Sequence, residues 1–92
     1  MASVEWTVHV PIERSSISFK SRKQAMKHAY ERSKELGGFT QYIYRVEGHS
    51  KEQWADISRS GKSTTIFVRD ERAQYTLRAD GTLGKLIFKI GQ

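Results

Sequence analysis

The run from Ser21 to Leu36 constrains this chain most, because it is the one stretch long and periodic enough to specify a helix. Ser21 followed by Gln24 has capping-box spacing, in which each side chain can satisfy an amide that the first helical turn leaves open. Gly37-Gly38 closes the run, since glycine accepts the left-handed geometry on which helices commonly end. At about 100° per residue, Ala25, Ala29 and Leu36 share one narrow arc with Met26 beside them, and this is the buried stripe. Lys23, Lys27 and Lys34 share a second arc well away from it, with Tyr30 on the border. Glu31 stands where it partly neutralises Lys27 and Lys34.

The rest of the chain reads as strands and turns. Val4 to Val10 alternates, with Val4, Trp6, Val8 and Val10 on one face and Glu5, Thr7 and His9 on the other, until Pro11 ends the strand. Ser16 to Lys20 resumes the period of two with Ile17 and Phe19 inward, so a hairpin feeds the helix. After the glycines, Phe39 to Glu47 puts Tyr42, Tyr44 and Val46 on one side and Gln41, Ile43 and Arg45 on the other; apolar mass on both faces marks a central strand. Between Gly48 and Gly61, Ser50 and Gln53 repeat the capping spacing, which predicts a second short helix carrying Trp54 and Ile57; a strand over Trp54 to Ser58 is the alternative.

From Ser63 onward the chain reads as a three-stranded meander. A two-residue type I′ turn at Asp80-Gly81 would pair Leu77 with Gly84, Tyr75 with Leu86 and Ala73 with Phe88. A turn at Asp70-Glu71 would set Val68 against Ala73 and Ile66 against Tyr75. In that register the opposite face carries Arg69, Arg72 and Lys89 in one row, then Phe67, Gln74 and Ile87, then Thr65, Thr76 and Lys85, with Arg78 at the far end. Cations directly opposed across a sheet repel, so such a face gains from an anionic counterpart. The fold class expected is therefore α+β, an antiparallel sheet with one helix packed on a face, in a single domain of 92 residues.

Lys and Arg number 16 against 10 Asp and Glu, a net charge of +6 with a pI near 9.8, which favours polyanionic partners. There is no cysteine, so disulfides, thiolate metal sites and cysteine nucleophiles are excluded, and a reducing cytoplasm is the expected home. The N-terminal residues from Met1 to Trp6 show no basic region followed by an apolar run, so no signal peptide is expected, and no run is long enough to span a bilayer. His9, His28 and His49 lack metal-ligand spacing, and no nucleophile, base and orienting acid assemble; no metal, cofactor, small-molecule substrate or enzymatic activity is expected. Gly61-Lys62-Ser63-Thr64 lacks the earlier glycine and following helix of a phosphate loop, and Gly81-Thr82-Leu83-Gly84 lies in a hairpin rather than between helices.

The order of a short hairpin, a helix opening Ser-x-x-Gln-Ala at Ser21 to Ala25, and a glycine-preceded strand ending Arg45-Val46-Glu47-Gly48 resembles small phage-encoded anti-CRISPR proteins, particularly inhibitors of type I surveillance complexes. The resemblance covers about half of the chain and is one of layout. It implies a stoichiometric inhibitor that docks on a Cas protein–guide RNA complex and blocks target DNA, acting in the host cytoplasm. The alternatives are a general nucleic-acid-binding accessory protein and a homodimeric interaction domain whose interface is the Phe67 and Ile87 strip. Charge geometry alone nominates the partner-binding residues: Lys23, Lys27 and Lys34 on the helix, and Arg69, Arg72, Arg78, Lys85 and Lys89 on the sheet. Tyr30 and Phe67 would add stacking on exposed bases.

Overall fold

The computed structural model describes residues 3–91, so Met1 and Ala2, on which the expected lack of a leader partly rests, lie outside them. The chain runs β1 (Val4–Val10), a 3-10 turn (Pro11–Glu13), β2 (Ser15–Phe19), α1 (Arg22–Leu36), β3 (Gln41–Glu47), β4 (Ser50–Ser60), β5 (Ser63–Val68), β6 (Ala73–Leu77) and β7 (Leu83–Lys89). This is an α+β fold: every hydrogen-bonded neighbour is antiparallel, in one open sheet ordered β2-β1-β3-β4-β5-β6-β7. Because β1 lies between β2 and β3, those two strands run in the same direction, and α1 is the crossover that joins them over one face of the sheet.

The helix forms where its caps demand. Ser21 Oγ accepts from the amide of Gln24 at 3.1 Å, and the amide of Gly37 donates to Ser33 at 3.0 Å. Gly37 has φ 61° and ψ −121°, a region that only glycine visits freely, so the stop depends on its identity. The expected stripe of Ala25, Met26, Ala29 and Leu36 is buried, joined by Ser33, whose hydroxyl meets that of Thr64 at 2.7 Å. Beneath lie Val8, Ile43, Ala55, Ile57, Ile66, Val68 and Leu77, inward residues of β1, β3, β4, β5 and β6. Gln41 is buried with them because its side-chain amide donates to the carbonyl of Ala29 at 2.8 Å.

The segment expected as a second helix is instead β4, the longest strand. Ile43 pairs with Ala55 but Tyr44 with Gln53, so Trp54 is an extra residue, a β-bulge. The bulge buries Trp54 and Ala55 in succession, which breaks the alternation of a strand and leaves Trp54 and Ile57 three apart, as on a helix. Trp54 meets Trp6 edge to face at 5.4 Å, and the Arg22 guanidinium lies over both rings.

The β5–β6 register is as expected, with Val68 opposite Ala73 and Ile66 opposite Tyr75. Its turn closes from the Arg72 amide to the Arg69 carbonyl, and Arg72 takes the left-handed conformation where no glycine was available. The β6–β7 hairpin differs. The Gly81 amide donates to Arg78 and the Arg78 amide to Thr82, so Ala79-Asp80 are central and Gly81, at φ 86°, completes a three-residue loop. Asp80 holds this shape by accepting from both the amide and the hydroxyl of Thr82. Leu77 consequently pairs with Leu83 rather than Gly84. Two register shifts then give Tyr75 opposite Leu86 as expected, but Gln74 opposite Phe88 and Ala73 opposite Lys89.

Candidate functional site

One face of the sheet carries α1 and the other, among the described residues, carries no helix. Adjacent registers align a single row across all seven strands of that open face: Ser16, His9, Tyr42, Asp56, Phe67, Gln74 and Phe88. Neighbouring strands lie about 4.8 Å apart, so the row crosses the whole sheet width. Rings recur along it at His9, Tyr42, Phe67 and Phe88, with Phe67 and Phe88 in contact at 6.3 Å between centroids. Beside it Tyr44 packs near His9, and Lys51 Nζ lies 4.5 Å from the centre of the Tyr44 ring. Strand pairing, not local sequence, assembles this surface.

The cations nominated from sequence are distributed differently from the expected row. Arg69 does reach the open face, but it is held there by Asp56, with Nε and Nη2 each donating at 3.2 Å. That carboxylate raises the Arg69 pKa through the hydrogen bond and its charge. Arg72 is in the turn, and its carbonyl accepts from the amide of Ile90. Lys89 pairs with buried Ala73 and so belongs to the helix side of the sheet. The expected row of Arg69, Arg72 and Lys89 therefore does not exist, and Phe88 rather than Ile87 accompanies Phe67. The cause is the longer loop at Gly81 and the bulges that follow it. Lys85 lies at one bulge, where its amide donates to Thr76 Oγ1 at 2.8 Å, and Arg78 lies in the loop.

On the helix, Lys23, Lys27 and Lys34 are exposed as expected. Lys34 faces Glu31 at 3.8 Å and lies over the Tyr30 ring, so both are partly engaged within the helix. Tyr30 is half-buried against the core, on the helix and apart from the rings of the open face. Lys23 and Lys27 flank the Gly81 loop, which presses on the helix backbone between them. A cleft of about 450 Å³ opens there, floored by Met26, Trp54 and Leu83 and edged by Arg22, Lys23 and Glu71. Among the described residues, no group of three or more His, Asp or Glu is arranged to hold a metal. No helix of the described residues is long and apolar enough to cross a membrane.

No protein-family model matches the sequence, and searches of curated proteins and of solved structures likewise give no match. The fold and its open face are therefore what bear on function. The aromatic row was missed from sequence because Phe88 was assigned to the inward face by the shorter turn, and Tyr42 was read only as core mass. Its available signal was the alternation of Tyr42 and Tyr44 with the buried Gln41 and Ile43.

Proposed function

We propose that this is a non-enzymatic binding protein that lays the open face of its sheet on single-stranded nucleic acid, such as the RNA exposed in a ribonucleoprotein complex. The row of His9, Tyr42, Phe67 and Phe88 carries the reading. Each ring offers a stacking surface without sequence preference, and Lys51 beside Tyr44 supplies charge for the backbone. The net charge of +6 supplies the long-range attraction. The forked side chains of this face are engaged within it, Arg69 by Asp56 and Gln74 by Thr65, so binding independent of sequence is the consequence. In its most specific form, following the layout resemblance, the protein is a cytoplasmic anti-CRISPR-type inhibitor that occupies a Cas protein–guide RNA complex and blocks target DNA. A general nucleic-acid accessory protein uses the same face without a protein partner.

Salt-titrated binding to unstructured DNA and RNA tests the reading. Affinity should fall with salt at a log–log slope of about −0.7 for each phosphate engaged. Tyr42→Ala, Tyr44→Ala and Phe67→Ala should each weaken binding by about 1–3 kcal/mol. Weak capture of free strands but tight capture of an intact surveillance complex supports the inhibitor; equal capture of both supports the accessory protein. Affinity for single strands that none of the three substitutions changes refutes the open-face interface.

A further inference from the structure

We propose that the free edge of β7 takes up an extended acidic segment of a partner protein as an eighth strand. The two edges of this sheet differ in apolar content: β2 exposes one large apolar residue, Ile17, where β7 and the residue after it expose four. Edge strand β2 is short and serine-rich, with its hydroxyls turned back onto β1: Ser18 meets Thr7 and Ser16 meets His9 Nδ1, both at 2.8 Å. That edge is blunted in the way soluble sheets avoid adventitious pairing. Along the other edge and just beyond β7, Leu86, Ile87, Phe88 and Ile90 are each between 45% and 54% exposed. An open ladder of amides and carbonyls bordered by apolar side chains is a template for strand addition, where the main chain supplies affinity and alternate side chains supply selectivity.

Charge selects the occupant. Arg72, Arg78, Lys85 and Lys89 surround this edge, and none forms an ion pair among the described residues. Of the nearby acids, Glu71 accepts from the Tyr75 hydroxyl at 2.5 Å, Asp80 accepts from Thr82 with the Arg78 charge close by, and Asp70 shares the turn with Arg72, which leaves Lys85 and Lys89 as the least offset cations. A second copy of the chain fits less well. Pairing two β7 strands about a two-fold axis would bring Lys85 and Lys89 of both copies to one seam, a like-charge approach. The two register shifts also twist β7, and a flexible segment follows a twisted edge more readily than another rigid sheet does. The fitting partner is an extended segment alternating acidic with β-branched or aromatic residues.

Fluorescence anisotropy with a short labelled peptide alternating glutamate and valine provides the test. Controls are the same peptide with proline at alternate valines, and a lysine–valine peptide. Binding of the first alone is expected, weakened about threefold to tenfold by Lys85→Glu with Lys89→Glu. Equal binding of the proline peptide would reduce the effect to charge alone and overturn the proposal. So would no binding by any peptide. Sedimentation showing a homodimer that Ile87→Lys dissociates would assign the edge to a second copy instead.

Discussion

At Gly81 the β6–β7 hairpin comes up against the backbone of the helix. A Cβ placed there would stand 2.6 Å from the Lys23 carbonyl oxygen and 3.0 Å from the Lys27 amide nitrogen, both backbone atoms that yield little. Its φ of 86° adds strain for any L side chain. Gly81→Ala should therefore lower the unfolding free energy by about 1–3 kcal/mol in denaturant titration, whereas Gly48→Ala, with φ 59° but open space around it, should cost about 1 kcal/mol. Equal losses at the two positions would show that the loop is not seated on α1. Ser21→Ala, which removes the acceptor of the Gln24 amide, should cost about 0.5–2 kcal/mol in the same measurement.

Among the elements, α1 is pinned to the 3-10 turn by Arg32, which donates to both Glu13 and Glu35. The Arg32 hydrogen bond holds the Glu13 carboxyl below its ordinary value of 4.5, against an opposing effect of burial. Its contribution to stability is thus present above that value and lost as pH falls beneath it. His28, packed 5.1 Å from Phe19, is pushed below its ordinary 6.5 by burial and then by the Arg32 charge. The unfolded chain binds the His28 proton more readily, so stability is full above 6.5 and declines as pH drops below it. Unfolding midpoints measured across this range should fall with acid in two stages. His28→Gln should flatten the upper stage and Glu13→Gln the lower; an unchanged profile in both variants would remove Arg32 and burial as the causes.

β4 shows why some elements were hidden at sequence level. Helix, N-terminal hairpin, central strand and β5–β6 register were legible because each is written in local periodicity or capping spacing. Trp54 was not, because a bulge is decided by what the extra residue packs against: Trp6 and Arg22 come from other elements. Truncation by Trp54→Ala should cost about 3–5 kcal/mol, read from denaturant midpoints, as expected for a buried indole. The register of β7 was hidden for a related reason. A Cβ on Gly84 would lie 2.2 Å from Thr76 Oγ1, so the chain shifts there to let that hydroxyl reach the Lys85 amide.

For the whole molecule, the excess of cations acts in two opposed directions. Raising salt from low levels screens self-repulsion and should raise the melting temperature modestly, while weakening any binding to nucleic acid. By itself the sequence determined the α+β class, the single long helix, the hydrophobic stripe and the net charge, since these follow from residue type and spacing along the chain. Tertiary structure decided which rings line up across the open face, which cations are tied to carboxylates and which edge is left apolar. Those outcomes turn on bulges and one loop whose geometry is set by contacts between residues far apart in the chain, where local periodicity carries no information.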